Sequence, residues 1–241
     1  MKILRCCFLL LISIFLTFSD SPADDKSFVW TYEYITTSPG ELEMENYLDF
    51  KAPEWSNKSS SAWFHQIELE YGITKGWDVA LYQVFSQTNS EGYKFNQMKL
   101  RTRIKFFSEE KFVANPMLYL EYKRPSNISA PNEIEGKLIL ARELSKLYVV
   151  GNFILEKELI SSSEWEKGYA LGVSYQILPA VKSGMETVGN FESGPVNQIH
   201  WGPTFSFEAK KFFMALGALW GANSQSDDFR FRYILGFDLY H

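Results

Sequence analysis

The last fourteen residues, 228–241, alternate between apolar and polar positions. One parity is apolar and consists of Phe229, Phe231, Tyr233, Leu235, Phe237 and Leu239. The other parity is largely polar and consists of Arg230, Arg232, Gly236, Asp238 and Tyr240. Because a period of two sends successive side chains to opposite faces, the segment predicts a β-strand with one aromatic and aliphatic face and one charged face.

Eleven earlier segments of about ten residues show the same alternation. They span residues 41–51, 61–72, 77–87, 97–107, 117–124, 133–143, 147–158, 165–175, 181–191, 199–208 and 212–220. The links between them are short and long in turn; 73–76 and 109–111 are tight, whereas 52–60 and 192–198 are longer. Outer-membrane barrels have short periplasmic turns and longer extracellular loops. The pattern therefore predicts an all-β fold, a transmembrane antiparallel up-and-down barrel of about twelve strands over residues 41–241.

The polar parity carries the charges that we expect to line the lumen and a solute path. An Arg or Lys facing lipid at the bilayer midplane costs roughly 2–4 kcal/mol, so a row of four cations on one strand must face inward. Acidic and basic rows then oppose each other around the bore, where they either select solutes or pair and plug the barrel. The predicted lumen residues are Glu41, Glu43, Glu45, Glu68, Glu70, Lys99, Arg101, Arg103, Lys105, Arg230 and Arg232.

The direction of the apolar face follows from the number of strands. A soluble ligand-binding barrel shows the same alternation with its apolar side chains inward. Eight strands already enclose an interior that side chains can fill, so twelve with apolar inner walls would leave a void. A two-sheet sandwich remains the alternative.

The inner parity also carries small residues and tyrosines. The small ones predict open space in the lumen and are Gly168, Ala170, Gly172, Gly184, Gly202, Ala215 and Gly217. A path for an amphipathic solute could be lined by Tyr47, Tyr82, Tyr119 and Tyr148. An extra alternating segment, 27–36, is expected across the periplasmic mouth or inside the lumen.

The start of the chain predicts a secretory signal peptide over residues 1–23. Lys2 and Arg5 precede an apolar run, and small residues follow, which places cleavage after Ser19 or Ala23. A retained anchor helix is the alternative. Residues 24–40 then form an N-terminal segment before the barrel. Both cysteines lie in the removed part, so the mature chain is expected to have no disulfide and no cysteine metal site.

Composition argues against several other classes. A net charge of -5 is not that of a nucleic-acid binder. No later stretch approaches 18 uncharged apolar residues, which excludes a helical membrane protein. His65, His200 and His241 are dispersed and accompany no nucleophile motif, so we predict no enzyme, no catalytic residue, no metal site and no cofactor.

Three stretches of the sequence carry a resemblance to a known family. The hairpin at 32–50, the stretch ELEYGITKGWDVAL at 68–81 and the run at 117–140 resemble an uncharacterised family of proteobacterial outer-membrane barrel proteins. A weaker likeness extends to the outer-membrane proteins of the meta-cleavage pathway of phenol degradation, which are thought of as channels. The resemblance implies the barrel fold and an outer-membrane location. His241 stands where the family usually ends in Phe or Tyr.

Two functions follow as hypotheses. One is a passive porin-like channel for small polar or amphipathic solutes. The other is a non-conducting structural or binding barrel with a salt-bridged, plugged interior. Both imply export through the periplasm, contact with outer-membrane lipid, and recognition of the C-terminal strand by the barrel-insertion machinery.

Overall fold

The computed structural model of the chain describes residues 26–107, 113–191 and 196–240. The predicted signal peptide, its two cleavage positions, both cysteines and His241 lie outside these ranges. Within them, no helix is long and apolar enough to cross a membrane. One 3₁₀ turn covers Lys58–Ser60, and the twelve strands are β1 Leu42–Ala52, β2 Ala62–Thr74, β3 Trp77–Thr88, β4 Lys94–Lys105, β5 Asn115–Pro125, β6 Glu133–Leu144, β7 Leu147–Glu158, β8 Glu166–Leu178, β9 Val181–Phe191, β10 Val196–Ala209, β11 Phe212–Gly221 and β12 Phe229–Tyr240.

The strands form one closed antiparallel barrel. Each strand pairs with its neighbours in sequence, and β1 closes the sheet by pairing with β12, with Tyr47 opposite Ile234. Closure leaves no open sheet edge, which is the requirement for a sheet in a medium that cannot bond to its backbone groups. The predicted all-β, twelve-stranded up-and-down barrel is confirmed, and the sandwich alternative is wrong.

The two ends of the barrel differ in their connections. At one end, which we call the short-turn end, residues 75–76, 145–146, 179–180 and 210–211 make two-residue links. The opposite, long-loop end carries longer connections such as 53–61 and 222–228. The turn predicted as tight at 109–111 lies outside the described residues.

The apolar parity faces outward on the strands. Leu100 on β4 is 50% exposed and Phe153 on β7 is 60% exposed, whereas the neighbouring Arg101 is only 3% exposed. An exterior of exposed aliphatic and aromatic side chains is that of a surface in contact with acyl chains. Trp63, Trp77 and Trp165, which lie at or next to strand ends, are also exposed on this outer face.

The N-terminal segment, residues 26–40, runs inside the barrel. Pro39 forms a bridge to Gly72 near the short-turn end, and a Cβ added at Gly72 would lie 2.0 Å from the Ser38 carbonyl oxygen. Gly72 therefore permits the chain to cross close over β2. Farther along the lumen, Phe28 and Val29 are at most 5% exposed and belong to the barrel core.

Candidate functional site: the barrel lumen

An ionic cluster joins the acidic and basic rows that the sequence predicts. Arg101 on β4 lies 2.7 Å from Glu68 Oε1 and 2.5 Å from Glu70 Oε2, both on β2. Arg103 pairs with Glu70 as well. Because β3 separates β2 from β4, the arginines reach over β3, where Asp78 completes the cluster at 3.3 Å from Arg101 and 2.7 Å from Arg103.

This ionic cluster is sealed from solvent. Its five side chains, Glu68, Glu70, Asp78, Arg101 and Arg103, are at most 5% exposed. Buried charges persist only when they are paired and hydrogen-bonded. The rows predicted to oppose each other across the bore therefore meet directly on one wall. Asp78 was missed from the predicted set, although it shares the inward parity of β3.

Lys26 adds a cation to the same wall. Its ammonium contacts Glu45 and lies 3.2 Å from the Tyr47 hydroxyl, which in turn donates to Glu68 at 2.8 Å. Although burial lowers it, the pKa of Lys26 is raised above its usual range by the carboxylates of Glu45 and its neighbours. Oxygens of Glu43, Glu45 and Glu70 lie within 4.8 Å of one another, and Lys26 supplies a positive charge at this group.

A second group of paired charges lies on β4, β5, β6 and β7. Lys123 Nζ is 2.9 Å from Glu135 and also contacts Glu156, while Lys137 contacts Glu135 from the other side. Lys99 approaches Glu121 at 3.5 Å. Of these residues the sequence analysis singled out Lys99 alone. The others could have been found by applying the same parity rule to β5, β6 and β7.

The remaining predicted lumen residues occupy separate places. Arg232 pairs with Asp49, and Arg230 lies 2.6 Å from Asp227 in the loop before β12. Lys105 stands over the Tyr34 ring at 4.7 Å, and Glu41 is half-buried just before β1. Burial raises the pKa of Asp227, but the charges of Arg230 and Lys51 outweigh it and hold that pKa below its usual range.

Side chains of the barrel wall bind the backbone of the N-terminal segment. The Glu186 carboxylate on β9 accepts from the backbone N–H groups of Val29, Trp30 and Thr31 at 2.8, 2.9 and 2.6 Å. Asn152 on β7 both accepts from and donates to the backbone of Tyr32, at 2.7 and 2.8 Å. Between residues 29 and 32 the segment thus satisfies buried backbone groups through side chains of the wall, as buried backbone requires.

The small inner residues receive this segment. A Cβ added at Gly172 would lie 2.6 Å from the Phe28 ring, and one at Gly217 would lie 2.5 Å from Val29. Part of the predicted open space is therefore filled by the chain's own N-terminal side chains. Tyr47, Tyr82 and Tyr119 are at most 4% exposed and border a cavity toward the long-loop end, and Tyr148 borders one toward the short-turn end.

Open space remains on both sides of the segment. A cavity of about 290 Å³ lies toward the short-turn end and is lined by residues such as Glu33, Ser174 and Lys182. Two cavities of about 300 and 340 Å³ lie toward the long-loop end, and both are lined by Trp30, Gln66, Lys99 and Arg232. The lumen is thus divided into two vestibules.

The histidines form no reactive constellation in the described part of the chain. His65 faces outward and contacts the Tyr93 hydroxyl at 2.7 Å and Asn46 at 3.2 Å. His200 faces inward, is 1% exposed, and lies 3.8 Å from Asp227. The nearby Ser226 hydroxyl is bonded to the backbone of Ile199 rather than to His200.

The fold is similar to those of solved outer-membrane barrels. The KdgM porin in complex with disordered oligogalacturonate aligns with a TM-score of 0.60 at 10% identity, over 82% of this chain and 99% of that one. The COG4313 outer membrane channel from Pseudomonas putida F1 aligns with a TM-score of 0.59 at 11% identity, over 92% of this chain and 100% of that one. The NanC porin aligns with a TM-score of 0.58 at 9% identity, over 83% of this chain and 100% of that one. At such identities the similarity shows the fold.

Comparison of the sequence itself gives no relative. No family model matches it, and no curated protein matches it. The likeness to the phenol-degradation proteins therefore has no support from either comparison.

Proposed function

We propose that this chain is a porin-like channel of the bacterial outer membrane that passes small polar or amphipathic solutes by passive diffusion. The observation that carries the proposal is the division of side chains in the closed barrel, with exposed aliphatic residues such as Leu100 outside and ionic residues inside. Such a cylinder is stable with lipid around it and water or paired charges within it. The shared fold with two porins and an outer membrane channel supports the same function.

The predicted path residues take two roles in this proposal. Lys99, Arg230 and Arg232 line the cavities at the long-loop end and are placed to meet solutes. The ionic cluster, with Glu68 and Arg101 at its centre, is buried and holds the wall together instead. We place the protein in the outer membrane after export through the periplasm, with insertion directed by its C-terminal strand.

Planar-bilayer recordings of the mature chain test the channel. We expect small ion-conducting steps, because the N-terminal segment narrows the lumen. Lys99→Glu should shift the reversal potential toward cation selectivity, since Lys99 borders both cavities at the long-loop end. Lys210→Glu, in an exposed two-residue turn, is the matched control and should leave selectivity unchanged.

A non-conducting barrel is the second candidate, and the filled lumen favours it. Val29 and Phe28 are packed into the core, and Glu186 holds three backbone N–H groups of the segment. A protein that folds in the bilayer yet stays electrically silent would support this candidate and refute the channel. Recovery from the soluble periplasm without detergent would refute both.

A further inference from the structure

The vestibule at the long-loop end has the size of a small-molecule site. Its two cavities, of about 300 and 340 Å³, share Trp30, Gln66, Lys99 and Arg232 in their walls. Ligand pockets begin at about 300 Å³ and combine apolar or aromatic surface with a few polar groups. We call this space the outer vestibule.

The floor of the outer vestibule is aromatic. Trp30 and Tyr32 are half-buried and line it, whereas the tyrosines behind them are almost fully buried. Each ring has a cation over it: the Arg232 guanidinium lies 5.5 Å from the centre of the Trp30 ring, and the Lys137 ammonium lies 4.1 Å from the centre of the Tyr32 ring. Rigid aromatic faces bind flat apolar surfaces with little loss of side-chain entropy.

The charges of the floor already have partners. Lys99 pairs with Glu121, Lys137 with Glu135, and Arg232 with Asp49. A charged solute would have to separate one of these pairs and leave a partner uncompensated in a poorly solvated place. An uncharged solute meets no such cost, so the floor favours solutes without net charge.

Side-chain amides supply the other polar groups of the wall. Gln66 and Asn190 border the first cavity, and Gln66, Asn96 and Gln97 border the second. Gln66 donates to Asp49 at 3.2 Å, and Asn190 accepts from the Gln198 N–H at 3.0 Å. Because a side-chain amide has two N–H donors and two acceptor lone pairs, each of the two can make further hydrogen bonds. A hydroxyl group, which is donor and acceptor at once, is the complementary partner.

We propose that the outer vestibule binds an uncharged ring compound that carries hydroxyl groups. One face of the ring lies on Trp30 and Tyr32, and the hydroxyl edge bonds to the amides, chiefly Gln66. Neutral sugars and phenols share this chemistry. The inference rests on the proposed channel for its physiological meaning, but the binding itself does not require conduction.

Calorimetric titration of the detergent-purified mature chain tests the site independently of the channel. Maltose and phenol are the two neutral probes, and galacturonate is an anionic probe of similar size. We expect saturable binding of maltose, of phenol, or of both. The probe that binds shows whether the site takes neutral sugars or phenols. Absence of saturable binding by both neutral probes, or tighter binding of galacturonate than of either, would overturn the proposal.

Variants locate the binding. Trp30→Ala should weaken binding of the neutral probe about tenfold, as expected for loss of an aromatic contact. Trp201→Ala removes an exterior indole that is 51% exposed and should leave affinity unchanged. Gln66→Ala keeps both aromatic side chains but removes the amide and its hydrogen bond to Asp49, and it should weaken binding by about two- to tenfold. Equal affinity in all three variants and the original chain would exclude the outer vestibule.

The outcomes also separate this inference from the proposed function. Binding by a barrel that is silent in bilayers would refute the channel and leave the site in place. Conduction without binding of either neutral probe would support the channel and refute the binding site.

Discussion

The two walls of the lumen are filled in opposite ways. Strands β1–β4 fill their side with their own long charged residues, and Glu68, Glu70, Asp78, Arg101 and Arg103 pair there almost without exposure. Strands β8–β11 present small residues, including Ala170, Gly172, Ala215 and Gly217, and the N-terminal segment packs against that side. The five charges of the first wall pair with one another and meet the N-terminal segment through Thr37, whereas the small residues of the second wall leave space that Phe28 and Val29 of that segment fill.

The lumen of this twelve-stranded barrel is filled in two ways, by paired charges on one wall and by the N-terminal segment against the other. Paired charges fix one wall at a cost in desolvation that only close pairing offsets. A docked segment fills the other through shape and through acceptors such as Glu186. Changes to the first wall should therefore alter stability, and changes to the second should alter the opening of the lumen.

The largest effect is expected from breaking the ionic cluster. Arg101→Leu leaves the carboxylates of Glu68, Glu70 and Asp78 without their shared partner, which costs about 3–5 kcal/mol in the free energy of unfolding. Urea unfolding in lipid vesicles measures the loss. Arg101→Lys keeps a charge and should lose less; equal losses would mean that the pairing contributes little.

A charge on the outer face should have the next largest effect. Leu100→Arg places a cation on the exterior directly beside Arg101 and should cost about 2–4 kcal/mol near the midplane. Leu144→Arg, on the same face but at the end of β6, should cost about 0–1 kcal/mol. Vesicle insertion yields and unfolding curves give both values, and equal costs would contradict the assigned depth.

Displacement of the N-terminal segment from the second wall should open the lumen and leave the barrel folded. Gly172→Leu drives a side chain into the Phe28 ring and should weaken docking of the segment by about 1–3 kcal/mol. We expect larger single-channel conductance with an intact barrel. Gly136→Leu points outward, where its Cβ would have an ordinary 3.7 Å contact, and should not change conductance. Equal conductance of the two variants would refute the plug role.

The smallest effect on the free energy of unfolding is expected at the long-loop end, from protonation of Asp227 at low pH. The folded-state pKa of Asp227 is depressed, so its contribution to stability is complete above its unfolded pKa, near 3.8, and disappears as the pH falls through the folded value. Asp227→Asn should lose about 1 kcal/mol at pH 7. Unfolding curves at pH 7 and pH 3 should then differ less for the variant than for the original chain.

The sequence predicts the strands and their faces well because the requirement is strict. A strand between lipid and lumen must alternate at every step, and the inward charges such as Arg103 and Glu70 follow from parity alone.

The packing inside the lumen could not be predicted in the same way. Small residues such as Gly172 and Gly217 indicate space, but parity does not say what occupies it. The answer depends on contacts between residues far apart in sequence, such as Glu186 with Val29. Asp78 shows the same limit, since its role depends on two arginines that reach across a strand.

The seam between β1 and β12 joins the two ends of the barrel sequence. Because Phe28 and Val29 belong to the barrel core, the pairing of β1 with β12 encloses the N-terminal segment inside the sheet. Once the sheet is closed, the enclosed segment cannot leave without breaking strand pairs. A misplaced Phe28 or Trp30 would therefore be retained inside the closed barrel.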